Sequence, residues 1–292
     1  MDINNVIICG LGALGLTYAN KLHKVCELRV LADLERVEKY RKTPPKFNGK
    51  VLSLDYLLPN DFFSADLVII STKSTGLSSA IDYIKNFVSP NTIIISLING
   101  ISSEEEIKKA YPEANVLKSY FIGHSAMRNG LDVSQDGIGK IVIEPNFYLE
   151  RFFQNKSIEY EVSTNILYSQ WLKLGVNIVL NQLSAIYRCT VGELRTRKDF
   201  EKESLQLLQE VKAIAEVCNV ARLENYEKEV FEAIKLIADD GKTSMYQDVL
   251  ARKKTEVDIF SGEIIRLGKI YNISTPYNEK IYSKIKEMER EF

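Results

Sequence analysis

The chain has 292 residues, more than one hydrophobic core usually organises, so two domains of about 150 residues each are expected. Its 45% hydrophobic and 26% charged residues are ordinary for a folded protein and argue against disorder. With 38 basic against 39 acidic residues, a net charge of -1 and no dense block of Lys or Arg, nucleic acid is not an expected partner.

The apolar run at the start lacks a basic flank, is too short to span a bilayer and ends in glycines, so it reads as a buried strand. A cytoplasmic protein with reduced thiols and no membrane partner is the expectation. Cys9, Cys26, Cys189 and Cys218 are widely spaced, with no C-x-x-C pair and no nearby His to complete a metal site. His23 and His124 are the only histidines, which leaves little material for a zinc site or a His-based triad.

In chain order, Val6 to Cys9 is apolar and β-branched, and Leu14, Tyr18, Ala19 and Leu22 then recur at helical spacing up to Lys24. A second strand is expected at Leu28 to Ala32 and a short helix at Glu35 to Arg41, before the Pro44-Pro45 break. Leu67 to Ser71 reads as a strand buried on both faces. An amphipathic helix at Leu77 to Phe87, a turn at Pro90-Asn91 and a strand at Thr92 to Leu97 continue the βαβ alternation. Strands are also expected at Val116 to Ile122 and Lys140 to Ile143, with a turn around Arg128-Asn129-Gly130.

From about Thr164 the pattern is helical: Tyr168 to Tyr187, Lys198 to Val217, Tyr226 to Ala238, Tyr246 to Ile270 and Tyr277 to Glu291. The expectation is an α/β Rossmann domain with a parallel sheet over residues 1–165, binding a dinucleotide, and an all-α substrate and catalytic domain over 166–292. Helical domains pack within one chain or between two, so a homodimer stays open.

The loop Gly10-Leu11-Gly12-Ala13-Leu14-Gly15 follows a strand and opens a helix. In that setting the first glycine permits a tight turn, the second lets backbone approach a pyrophosphate and the third allows the helix to pack on the strand. The phosphates would face the helix N-terminus. Asp33 ends the second strand 18 positions after Gly15, near where a carboxylate accepts from ribose hydroxyls, which on that rule alone indicates NAD. Arg36, one helical turn on, and Lys73, after the strand at Leu67, are cations able to reach a 2′-phosphate, so NAD and NADP both stay open.

In the segment Gln170 to Tyr187, Lys173, Asn177, Asn181 and Ser184 are spaced four, four and three apart and form one stripe on an otherwise apolar helix. A solvated helix face would carry several charges, whereas this stripe offers one ammonium among neutral hydrogen-bonding groups. Hydride addition to a carbonyl needs a proton donor at the developing alkoxide, and Lys173 is the best-placed acid.

These residues resemble the ketopantoate reductase (2-dehydropantoate 2-reductase) family over nearly the whole chain. The resemblance is carried by Leu97-Ile98-Asn99-Gly100, by Lys173 with Asn177 and Asn181, by Gly192-Glu193-Leu194, by Ser244-Met245-x-Gln247-Asp248, and by Thr255-Glu256-Val257-Asp258 with Gly262. It implies that Lys173 protonates the ketone and that Glu256 binds the substrate hydroxyl. It also implies that Asn99, Asn177, Asn181 and Ser244 surround the substrate, with Asn99 near the nicotinamide ribose.

Two of these have structural readings as well. Ser244 and Gln247 fit a helix capping box, and Glu256 stands at helical spacing from Arg252 for a surface ion pair. Family members specific for NADPH commonly carry an arginine where this chain has Asp33. Lys73 matches a family lysine, so NADP is favoured and NAD kept open. The implied reaction is reduction of ketopantoate to pantoate for pantothenate synthesis. The alternatives are reduction of another 2-oxo acid on the same scaffold and a non-catalytic dinucleotide sensor.

Overall fold

The computed structural model describes residues 2–123, 126–135 and 139–292, Ala126 and Met127 in backbone only. Two compact units emerge, residues 1–166 and 167–292.

The first unit opens with β1 (Asn5–Cys9), α1 (Ala13–Leu22), β2 (Glu27–Leu31) and α2 (Leu34–Lys42). The two-residue strands β3 (Lys46–Phe47), β4 (Lys50–Val51) and β5 (Tyr56–Leu57) follow. Next come β6 (Leu67–Ile70), α3 (Leu77–Tyr83), β7 (Ile93–Ser96), α4 (Ser103–Ala110) and β8 (Asn115–Leu117). The unit ends with β9 (Ser119–Gly123), β10 (Ala126–Asn129), β11 (Asp132–Gln135), β12 (Gly139–Ile143), α5 (Phe147–Asn155) and β13 (Tyr160–Val162).

Six of these strands form one parallel sheet in the order β5-β2-β1-β6-β7-β8. Numbered by their appearance in that sheet, this is 3-2-1-4-5-6, the Rossmann order, whose direction reverses between β1 and β6. The apolar runs explain why: alternate residues feed cores on opposite faces. Val6, Ile8, Leu67, Ile69, Ile93 and Ile95 pack into one cluster, while Ile7, Cys9, Val68, Ile70 and Ile94 pack into the other.

The expected strand from Val116 to Ile122 is divided. Leu117 pairs with Ile95 in the parallel sheet, whereas Ser119 pairs with Ile143 in a separate sheet of order β13-β12-β9. At the kink the Lys118 amide donates to Glu144 Oε1 at 2.7 Å. Arg128 and Asn129 belong to β10, and the reversal into β11 falls at Gly130, whose φ is +62°.

The second unit contains α6 (Ile166–Tyr187), α7 (Val191–Arg195), α8 (Phe200–Val217), α9 (Tyr226–Lys235), α10 (Ser244–Leu250), α11 (Ser261–Tyr271) and α12 (Pro276–Glu289). Helix α8 packs against α9, α11 and α12 around buried Leu207, Val211, Val230, Ile264 and Ile285. The long helix expected over Tyr246 to Ile270 is broken. After α10, Arg252 takes a left-handed φ of +51°, and a 3-10 turn at Val257–Ile259 precedes α11. Arg252 and Glu256 therefore do not share a helix, and their four-residue spacing does not set them on one helical face.

Helix α6 is buried along most of its length, with Trp171, Ile178, Val179 and Leu183 at or below 2% exposure. Tyr226, also fully buried, donates its hydroxyl to the Trp171 carbonyl at 2.8 Å. This crossing leaves no room on α6: a Cβ at Gly175 would lie 2.4 Å from Tyr226 Oη. Gly175→Ala is therefore expected to cost about 1–3 kcal/mol through overpacking. Combining it with Tyr226→Phe removes the clashing oxygen, and denaturation of the single and double variants should show a coupling of opposite sign to the single losses.

Candidate functional site

The register aligns the carboxyl ends of four parallel strands, with Leu31, Cys9, Ile70 and Ser96 side by side. Each is followed by sequence candidates: Asp33 and Arg36 after β2, the glycine loop after β1, Lys73 after β6 and Asn99 after β7. Three inter-strand steps span roughly 14 Å, which suits an extended dinucleotide lying across the strand ends at the point where the order reverses.

The loop is built around β6. Gly10 has φ +101°, and a Cβ there would lie 2.8 Å from both the Thr72 amide nitrogen and Thr72 Cγ2. A Cβ at Gly15 would lie 1.9 Å from the Gly10 carbonyl oxygen and 2.5 Å from Ser71 Oγ. That same carbonyl accepts from Ser71 Oγ at 2.8 Å, and the Ser71 amide continues the ladder to the Cys9 carbonyl at 2.9 Å. Gly12 is the N-cap of α1 and supplies no side-chain acceptor, and no acidic residue occupies the first turn. The leading amides of α1, including those of Ala13 and Leu14, thus keep the character of an anion site, which fits a pyrophosphate.

Ser71 and Thr72 were missed in the sequence, where Ser71 reads only as the end of a buried strand and Thr72 lies just beyond it. Thr72 Oγ1 is buried with no hydrogen-bond partner. Leu11 is buried at 5% exposure. Cys9, under the loop, is 2% exposed, and burial pushes its thiol up to about 12, so it is not a nucleophile at neutral pH.

Asp33 is the N-cap of α2: its Oδ1 accepts from the Arg36 amide at 2.8 Å and its Oδ2 from the Arg36 guanidinium at 2.8 Å. The Arg36 side chain is 61% exposed. Lys73 is exposed and begins a 3-10 turn at Ser74–Gly76. Asn99 is half-buried beside Gly100, whose φ is +95°.

In the second unit the stripe on α6 sinks progressively. Lys173 and Asn177 are half-buried, Asn181 is 8% exposed and Ser184 is fully buried. Ser184 Oγ lies 2.7 Å from Thr243 Oγ1, which accepts from the Tyr246 amide and caps α10. The expected cap at Ser244 is thus one residue off. Thr243 performs it, Gln247 Nε2 donates to the Lys242 carbonyl at 2.9 Å, and Ser244 stands exposed next to the deep end of the stripe. Gly192, Glu193 and Leu194 form a short helix capped reciprocally by Thr190 and Glu193.

Glu256 is half-buried, just before the 3-10 turn, and its neighbours are pinned by α12. Glu289 Oε1 accepts from the Thr255 amide at 2.7 Å and from its hydroxyl at 2.6 Å, while Asp258 accepts from Tyr282 and Lys286, both at 2.8 Å. These anchors lie more than twenty residues away and carried no sequence signal. Among the described residues no group of His, Cys, Asp and Glu is arranged to hold a metal, and no helix is long and apolar enough to cross a membrane. His124 lies outside the described residues.

Comparison with known proteins bears on this arrangement. The family model described as ketopantoate reductase PanE/ApbA matches residues 6–146, and that described as its C terminal matches residues 165–289. The chain belongs to the ketopantoate reductase family. Across the family's length it is similar to the 2-dehydropantoate 2-reductase of Vibrio cholerae serotype O1, with 26% identity over 300 residues and 98% of each chain covered.

Solved structures of the same fold include D-mandelate dehydrogenase with NADH and anilino(oxo)acetate, at TM-score 0.88 and 24% identity over 98% of this chain and 99% of the other. They also include a dimeric ketopantoate reductase from Staphylococcus aureus, at TM-score 0.81 and 23% identity over 98% and 99%.

The crowding between Gly15 and the Gly10 carbonyl makes the loop testable without a substrate. Gly15→Ala should push α1 from the strand, cost about 1–3 kcal/mol in thermal or denaturant unfolding, and weaken NADPH binding in a fluorescence titration. Unchanged binding would show that this loop does not hold the cofactor.

Proposed function

We propose that the protein reduces 2-dehydropantoate to pantoate with NADPH, Lys173 supplying the proton. The observation that supports this most directly is the match of both family models together with the lysine-and-asparagine stripe of α6. When bound, the nicotinamide supplies the hydride that reduces the 2-keto carbon.

The remaining work falls to the protein. The Lys173 ammonium donates a proton to the keto oxygen as negative charge develops there and is reprotonated from solvent, so that oxo acid, NADPH and one proton become hydroxy acid and NADP⁺. Asn99 and Ser244 offer neutral donors to the substrate carboxylate, and Asn177 and Asn181 extend the row of donors from Lys173 into the domain. Glu256 accepts a hydrogen bond from the substrate's hydroxyl. Removing any one of these would leave a desolvated polar group of the substrate unpaired.

For the cofactor, both Asp33 oxygens already accept from Arg36, whose exposed guanidinium is available to a 2′-phosphate, with Lys73 as a second cation. This favours NADPH. Assembly as a homodimer belongs to the same proposal, checked by light scattering against a chain mass of 33.3 kDa.

A second reading is reduction of a different 2-oxo acid. It is supported by the shared fold with D-mandelate dehydrogenase, whose solved structure holds NADH and anilino(oxo)acetate. A substrate panel separates the two: a far higher kcat/KM for another oxo acid rejects ketopantoate.

The deciding experiment is NADPH against NADH oxidation with ketopantoate, by wild type and Lys173→Ala. Loss of general-acid catalysis is expected to lower kcat about 10²–10⁴-fold with NADPH affinity preserved. Near-wild-type turnover of Lys173→Ala with an unaltered pH profile would remove Lys173 from the mechanism.

A further inference from the structure

The segment Leu97–Ser102 carries Asn99 and Gly100 and joins β7 to α4. Its two ends are tied together from below by polar groups that are all buried: Ser96 at 0%, Ser119 at 1%, Ser103 at 4% and Glu104 at 4% exposure. Ser103 Oγ lies 2.8 Å from Ser96 Oγ and 2.9 Å from Glu104 Oε2, so the residue closing β7 and the residue opening α4 are joined directly. Ser96 Oγ also accepts from the Ile98 amide inside the segment at 3.3 Å. Ser119 donates to the Ser96 carbonyl at 2.8 Å and its amide donates to Glu104 Oε1 at 3.2 Å, bringing in β9 from the neighbouring sheet.

We propose that Glu104 is a positioning residue for the reaction, which holds the Asn99-Gly100 turn in place through the Ser96–Ser103–Ser119 cluster. A carboxylate buried only to cap α4 would need neither the serine relay across the segment nor the strand from a second sheet, and the side-chain caps Asp33, Asn146, Thr190 and Thr243 of other helices are only half-buried. The inference rests on the proposed role of Asn99.

The bonding pattern also says which substitutions preserve the cluster. Each serine hydroxyl has one proton. Ser103 therefore either donates to an ionised Glu104 and accepts from Ser96, or accepts from a protonated Glu104 and donates to Ser96. Burial is the main influence on the Glu104 carboxyl and raises it, opposed by the Ser119 and Glu104 amides, the Ser103 hydroxyl and the Lys118 ammonium. A glutamine reproduces the second pattern, with Oε1 accepting from the Ser119 amide and Nε2 donating to Ser103. An alanine reproduces neither.

The test compares Glu104→Ala, Glu104→Gln and Asn99→Ala, singly and with Glu104→Ala combined with Asn99→Ala, in the full chain. With NADPH and ketopantoate, Glu104→Ala should lower kcat/KM about tenfold to a hundredfold, as a displaced reacting geometry does. Glu104→Gln should restore most of it, and Glu104→Ala should add little once Asn99 is alanine. An unchanged kcat/KM in Glu104→Ala, an equal loss with and without Asn99, or no rescue by glutamine would overturn the proposal.

Amide exchange separates this from failure of the substrate assignment. Glu104→Ala should speed exchange at Ile98 and its neighbours in 97–102 while β1 and β6 stay protected, whatever oxo acid is used, and unchanged exchange there also overturns it. If the alanine variant does not fold, Ser103→Ala, which cuts only the relay, is read by the same measurements.

Discussion

The Gly10 carbonyl is the point on which the first unit turns. It accepts from Ser71 across the β1–β6 boundary and passes within 1.9 Å of the place a Gly15 Cβ would occupy. Those contacts press strand, loop and helix together where the sheet order reverses. Every other element of the candidate cofactor site follows from that placement. Once β6 is fixed beside β1, the ladder aligns β2 on one side and β7 on the other, and the residues after their carboxyl ends are delivered in a row. The fully apolar strands supply the driving force, since each buries side chains on both faces.

A comparable constraint operates in the second unit, on the side of α6 away from Lys173. Gln182 is fully buried, donates to the Ile178 carbonyl at 3.0 Å and accepts from the Ser261 amide at 3.3 Å. Ser261 in turn lies 2.7 Å from Asn278 Oδ1, and Asn278 donates from both its amide and its side chain to Glu210. A buried network with its partners present tolerates one packing rather than several. It therefore sets the rotation of α6 about its axis, and with it the direction of the stripe one residue away at Asn181.

What the sequence made legible was whatever repeats. The strands at Val6, Leu67 and Thr92 and the helices from Tyr168 and Lys198 announce themselves through period and length, and the Rossmann class followed from them. Two-residue strands such as β3, β4 and β5 have no period to read. The break at Arg252 carries neither glycine nor proline, so an uninterrupted helix was the natural expectation, and Lys118 gives no hint that its two flanks join different sheets. At the site, the fingerprint glycines and the α6 stripe were visible because their spacing is local. Ser71, Thr72, Glu104 and Glu289 were not, because their importance comes from partners brought near only by the fold.

Asp33 shows how a local role and a functional one are confused. An acidic residue at that position is commonly read as a ribose ligand, yet here its carboxylate satisfies the first turn of α2 and neutralises Arg36. An aspartate is favoured at an N-cap for stability alone, by about 1 kcal/mol relative to alanine, so its presence is explained before any cofactor is considered. It then carries little information about NAD against NADP. The discrimination passes to the cations, and of these Arg36, whose side chain is 61% exposed, is held by the half-buried Asp33 carboxylate of the same turn, so a 2′-phosphate has to compete with that carboxylate for the guanidinium.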